Sequence, residues 1–165
     1  MKNMLAQGAT VRLVKVEGWE NPDAPLRAEL EIEIPNFAAL AGKRLIMPVG
    51  VFHAHDTNPF WSPRRTHSIY FGYPNERYEE VRVELPPGIK VEPLPGDEIA
   101  DQGDTYYKFT SKMDGNAVQI MRTLRLSKHS FGLDQYKNLS RFYGRVLESD
   151  AHQATLLAVE NPHPN

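Results

Sequence analysis

Residues 65–95 read RTHSIYFGYPNERYEEVRVELPPGIKVEPLP, a run of β-branched and aromatic residues cut twice by proline-rich punctuation. The first cut is Tyr73-Pro74-Asn75 and the second is Pro86-Pro87-Gly88. Between them, Val81, Val83 and Leu85 alternate with Glu80, Arg82 and Glu84. A period of two over that length makes a strand with one apolar and one wet face. Residues 66–72 read as a strand before it, and residues 89–94 as a short edge strand limited by proline. The stretch holds no nucleophile, no metal cluster and no phosphate loop; its residues suit packing and pairing.

The same theme extends outward. Residues 10–17 (TVRLVKVE) form a β-branched strand. In residues 26–34, Leu26, Ala28, Leu30, Ile32 and Ile34 alternate with Arg27, Glu29, Glu31 and Glu33, which predicts a strand with one buried face. Residues 44–49 make another short strand, and residues 52–65 a long loop pinned by its aromatic residues. Residues 106–113 and 117–126 flank Asp114-Gly115-Asn116, a strong local hairpin signal. Arg122 interrupts the apolar face of the second of these strands, so it either reaches the rim or pairs with a carboxylate. The adjacent acids Glu79-Glu80 and Asp97-Glu98 read as wet turns. From 133 to 147, Leu133, Tyr136, Leu139, Phe142, Tyr143, Val146 and Leu147 make a helical stripe. Residues 154–159 close the pattern as a last strand. The expectation is a mainly β chain: an antiparallel β-sandwich of about seven to nine strands, one domain over residues 1–165, with one C-terminal amphipathic helix packed on it. Residues 1–8 and 161–165 read as flexible ends.

Composition narrows the functional classes. The chain has 165 residues, of which 41% are hydrophobic and 24% charged, enough for a real core. Its net charge of −2, with signs interspersed, offers no field for a nucleic-acid backbone or an anionic membrane. Thirteen prolines and seven tyrosines favour strands and turns. With no cysteine, there is no disulfide framework, thiolate metal site or cysteine nucleophile. No apolar run approaches the ~20 residues of a membrane helix, and residues 1–8 do not read as a signal peptide. The oligomeric state is left open.

The order of these features resembles the C-terminal β-domain of bacterial transglutaminase-like proteins, a family in which an N-terminal β-domain of unknown function and a papain-like transglutaminase core come first. The matching pieces are GKRLIMPVGVF, then the arginine-led THSIYFGYP, then VELPPGIKVEPLP with its LP-x-G turn and second LP, and finally the helix around residues 136–142 with the ending ATLLAV. The resemblance covers residues 21–160. The resemblance implies a non-catalytic accessory domain that orients the catalytic core or contacts its substrate or a protein partner, with no cofactor. It also implies an extracytoplasmic setting, in the periplasm or at the cell surface. The family's catalytic Cys, His and Asp belong to the preceding core, and no cysteine here matches the nucleophile.

Two groups are candidate sites. His53, His55 and Asp56 form a metal-like cluster, because two histidines two apart on an extended segment face the same way and a carboxylate can complete the set. The bland reading is a solvated loop. Phe60, Trp61, Arg64 and Arg65 combine ring faces with guanidinium forks, as a stand-alone carbohydrate- or peptide-binding module using the 52–65 loop would require. Its bland reading has Phe60 and Trp61 plugging one end of the sandwich.

Overall fold

A computed structural model of the chain describes residue 5, residues 7–53 and residues 56–158. Twelve strands and one helix follow in order among the described residues: β1 Thr10–Glu17, β2 Arg27–Glu33, β3 Ala39–Ala41, β4 Arg44–Pro48, β5 Ile69–Tyr70, β6 Asn75–Glu84, β7 Ile89–Val91, β8 Glu98–Asp101, β9 Thr105–Asp114, β10 Ala117–Leu126, β11 Ser130–Phe131, α1 Tyr136–Asp150 and β12 Gln153–Ala158. They make four antiparallel sheets, with orders β1-β2, β6-β10-β9-β8, β11-β5 and β3-β4-β12-β7.

The mainly β architecture with one C-terminal helix is the one expected. Eight strands have four or more residues, within the anticipated seven to nine, and short pieces raise the total. Two elements correct the reading. The strand placed at residues 66–72 is only β5, and residues 97–98 are not a free turn, because Glu98 opens β8. The helical hydrogen bonding starts later than the apolar stripe: a 3-10 turn at Leu133–Gln135 leads into α1 at Tyr136. Of the expected flexible ends, residues 161–165 lie outside the described residues, as do residues 1–4 and 6.

β10 is the centre of its sheet. Val118, Ile120, Leu124 and Leu126 point inward and are buried beside Tyr107 and Phe109 of β9. The β9–β10 hairpin closes through a two-residue loop in which Gly115 has φ +62°, as a II′ turn requires at its first central position. Met47 of β4 and Ala154 and Leu156 of β12 join the same apolar cluster, so the two four-stranded sheets share one core. Phe142 and Val146 carry α1 into it. A second cluster, Phe60, Ile69, Phe131, Tyr136 and Leu139, lies at the start of the helix. Tyr143 and Phe71 bridge toward it: Tyr143 stacks on Phe71 at 6.5 Å and meets Phe60 edge-on at 5.1 Å.

The β1–β2 hairpin corrects a further expectation. The alternation in residues 26–34 does make a strand, but its apolar face is not buried: Leu26 is 61% exposed and Ala28 is exposed, while Leu30, Ile32 and Ile34 are half-buried. Across the pair, Val11 faces Ile32, Leu13 faces Leu30 and Val16 faces Ala28. A bulge at Val14 keeps Val16 in phase with Leu13. Every charged residue falls on the other face, where Arg12 pairs with Glu31 and Glu17 stands opposite Arg27.

Candidate functional site

The charged centre of the molecule grows from two inward-facing positions on neighbouring strands. β10 turns Arg122 inward, between Ile120 and Leu124, and β6 turns Glu79 inward in phase with Val81 and Val83. The register sets Arg122 directly opposite Glu79. Arg122 Nη1 donates to Glu79 Oε1 at 3.1 Å. The last residue of α1, Asp150, approaches from the opposite side. Arg122 donates from Nε to its Oδ1 at 2.7 Å and from Nη2 to its Oδ2 at 2.8 Å. This two-pronged bond is the strong geometry for guanidinium and carboxylate. The Tyr107 hydroxyl also donates to Asp150 Oδ1, at 2.9 Å, and the Tyr107 ring lies 5.4 Å from the guanidinium carbon. Arg122 and Asp150 are 4% and 7% exposed. Burial alone would favour the neutral form of Arg122, and its hydrogen bond to Asp150 with the Asp150 and Glu79 charges outweighs that and holds it charged. Burial and then the Asp150 charge hold the Tyr107 hydroxyl well above its ordinary range, so it stays a donor.

The loop after β4 adds the third charge layer. Gly50 sits against the end of α1, where a Cβ would lie 2.4 Å from the Asp150 carbonyl oxygen, so no side chain fits. The loop then turns, with His53 N–H donating to the Gly50 carbonyl at 3.0 Å. That turn drives the His53 ring inward. Its Nδ1 lies 2.8 Å from Asp56 Oδ2, and its Nε2 lies 2.9 Å from Glu79 Oε2. A ring with a carboxylate on each nitrogen is an imidazolium donating twice. Burial alone would push its pKa down. The hydrogen bonds to Glu79 and Asp56 outweigh burial and the positive charge of Arg122, and the net shift is upward from 6.5. Glu79 shows the reciprocal effect: burial would raise it, but His53 and Arg122 together bring it below its ordinary value.

The sign of the resulting pH dependence follows. The folded chain holds the His53 proton more tightly than the unfolded chain does. The stabilisation is therefore full below about pH 6.5 and is lost as pH rises through the folded value. His53→Gln is expected to lower the thermal midpoint most at about pH 5.5, with the gap to the parent protein narrowing as pH rises through the raised value of the folded chain. A pH series of thermal melts on both proteins checks this. A gap that widens with rising pH would exclude the doubly donating imidazolium.

Of the sequence-marked residues, the structure brings His53 and Asp56 together and leaves them as an ion pair. His55 lies outside the described residues. His53, Asp56 and Asp150 present donor atoms within 4.8 Å of one another. Those atoms already face protons of His53, Arg122 and Tyr107, which a dication would have to displace. The second group divides. Phe60 is 5% exposed inside the second cluster, whereas Trp61 is 83% exposed, and Arg64 and Arg65 are exposed. Among the described residues the cation–ring contacts are Arg122 on Tyr107, Arg125 on Tyr106 and Lys128 on Phe131, so none joins Trp61 to an arginine.

Sequence reading missed Glu79, Asp150 and Tyr107. Glu79 had a signal: extending the alternation of Val81 and Val83 by one step puts it on the apolar face, the same conflict that marked Arg122. Two opposite charges at inward positions of neighbouring strands predict a pair. Beside the network lies a cleft of about 380 Å³, walled by Thr57, Phe71, Arg77, Leu124, Tyr143 and Leu147.

Comparison with curated proteins gave no match. Among solved structures, the crystal structure of a candidate protease from Parabacteroides distasonis ATCC 8503 is similar, with a TM-score of 0.51 and 14% identity, over 58% of this chain and 19% of that one. At that identity the likeness is one of fold, and the present chain corresponds to less than a fifth of the longer protein. A family model described as "Domain of Unknown Function with solved-structure structure (DUF3858)" matches residues 43–156.

Proposed function

The chain belongs to the DUF3858 family, and from that premise we propose that it is a non-catalytic accessory β-domain of a transglutaminase-like protein. In this reading it orients a papain-like core or contacts that core's substrate or a protein partner. The setting that goes with it is extracytoplasmic. The observation that carries the reading is the state of the buried ionisable groups. His53, Arg122 and Asp150 are the buried charged residues among those described, and each is held within one network of ion pairs rather than beside a nucleophile, although Arg122 also lines the neighbouring cleft. A general base needs a free lone pair within reach of the proton it takes, and the His53 ring has none. The motifs of the family resemblance support the same reading, because nearly all of them fall within the stretch that the family model matches: residues 42–52 on β4 and its loop, residues 66–74 on β5, residues 83–95 on the end of β6 and on β7, and the closing pieces on α1 and β12.

The test uses the purified chain and a papain-like transglutaminase core. The expected result is no transamidation of a glutamine peptide by the chain alone, together with co-elution with the core and a higher thermal midpoint for the mixture. Turnover by the chain alone, abolished by His53→Gln, would overturn the proposal.

A further inference from the structure

At the end of its sheet opposite the β9–β10 turn, the loop joining β8 to β9 meets the start of the helix around a cleft of about 270 Å³. Gln102, Asp104 and Thr105 line it from the loop and the first residue of β9. Gln135 and Asn138 line it from the 3-10 turn and α1, and Phe131 and Leu139 supply its apolar wall. Thr105 is 2% exposed, and its hydroxyl is a buried polar group with no hydrogen-bond partner among the described residues. A buried hydroxyl without a partner costs stability, so its presence calls for a reason. We propose that the cleft binds a single uncharged sugar ring, whose hydroxyl groups are recognised by Thr105, Gln102, Gln135 and Asn138.

Three features set the ligand class. The first is charge. Among the described residues that line the cleft, Asp104 alone is ionisable, and it is paired with Lys128, whose ammonium also lies 5.0 Å from the centre of the Phe131 ring. The wall therefore offers no net charge to hold a free anion or cation. The second is the kind of polar group. The side-chain amides of Gln102 and Asn138 make no hydrogen bond to the protein among the described residues. Gln135 uses only its Oε1, which accepts from the Gly132 N–H at 3.1 Å. Amides and hydroxyls both donate and accept, and so does every hydroxyl of a sugar. The third is placement. The polar groups come from both sides of the cleft, so the matching ligand carries its own around a rim; a lone alcohol or carboxamide presents them at one point. The volume lies just under the roughly 300 Å³ at which pockets for drug-sized ligands begin, which suits one ring and not a chain. The Thr105 hydroxyl reaches such a ring by rotation about χ1 between staggered states, and it breaks no hydrogen bond in turning because it holds none. Trp61, Arg64 and Arg65 do not line this cleft.

An NMR titration of the full, isotope-labelled chain with glucose, galactose, mannose and N-acetylglucosamine tests the inference. At least one sugar is expected to shift the backbone amides of Gln102, Thr105, Gln135 and Asn138 saturably, with a dissociation constant on the order of 1–10 mM, the range open to so small a ligand. Gln102→Ala and Asn138→Ala, both at exposed positions, should each raise that constant at least about threefold through a lost hydrogen bond. Their thermal midpoints should stay near that of the parent protein. Thr105→Val exchanges a hydroxyl for a methyl group at nearly constant volume. It should weaken binding by a similar factor and, without sugar, raise the thermal midpoint, because it removes a buried group that bonds to nothing. A lower midpoint for Thr105→Val would show that the hydroxyl is bonded in the fold, and would overturn the role given to it. Shifts that stay linear in concentration, or no shift with any of these sugars, overturn the proposal and leave the cleft to ordered water. Saturable shifts that are lost in Trp61→Ala and kept in Asn138→Ala place the sugar on another surface and overturn it too.

Discussion

Arg122→Met is expected to destabilise the chain by about 3–5 kcal/mol, the usual cost of removing one partner from a buried ion pair. Methionine keeps most of the stem's volume, so the loss comes from charge. Asp150 would be left 7% exposed, with both oxygens deprived of the guanidinium and only the Tyr107 hydroxyl still donating. Glu79 would keep only His53. At roughly 2–4 °C per kcal/mol for a domain of this size, the thermal midpoint should fall by roughly 10 °C. Adding Glu79→Gln and Asp150→Asn to Arg122→Met removes the stranded carboxylates and should restore much of the loss. A triple variant as unstable as the single one would show that packing of the arginine stem, not uncompensated charge, is what matters here.

Phe142→Ala is expected to cost a similar amount, about 3–5 kcal/mol, by a different route. Phe142 is fully buried in the cluster shared by the two large sheets. Its ring also meets Tyr143 edge-on at 5.6 Å, and Tyr143 leads into the second cluster through Phe60 and Phe71. Alanine therefore opens a void where the two apolar groups adjoin. Urea unfolding should show a lower midpoint with an unchanged slope, the sign of lost stability in an intact cooperative unit. Phe142→Leu, which refills much of the space, should cost under about 1.5 kcal/mol. Equal losses for the alanine and leucine variants would argue against a cavity.

Much of the architecture is legible in the residues, for physical reasons that can be named. Asp114-Gly115-Asn116 between alternating runs gives the β9–β10 hairpin, because glycine alone adopts the needed φ without strain. The stripe Tyr136, Leu139, Phe142 and Val146 gives α1, and those four are its buried apolar residues. Arg122 announced a partner by standing on an apolar face. Its carboxylates were harder to find. Asp150 lies at the very end of the helical stripe, where an acid is unfavourable against the helix dipole and looks like a terminal solvated residue. Its burial depends on Gly50, about a hundred positions earlier in the chain. His53 belongs to no periodic pattern, so its role emerges only once the loop has folded back. The hairpin shows the opposite limit. Alternation in residues 26–34 reports a face suited to burial, but periodicity carries no information about what covers it.

The network around Arg122 also bears on the order in which the chain folds. Its bonds join residues 26, 28 and 43 positions apart, and the helix, two strands and a loop must all be in place before it closes. Each such closure carries an entropic cost that local turns do not. The β9–β10 hairpin needs only a two-residue turn and can form early, whereas the ion cluster is expected to close late, once its scaffold is assembled. Interactions absent from the transition state act on unfolding rather than on folding. The buried charges are thus expected to function as a latch: Arg122→Met should change little how quickly this chain reaches its native form and shorten how long it stays there.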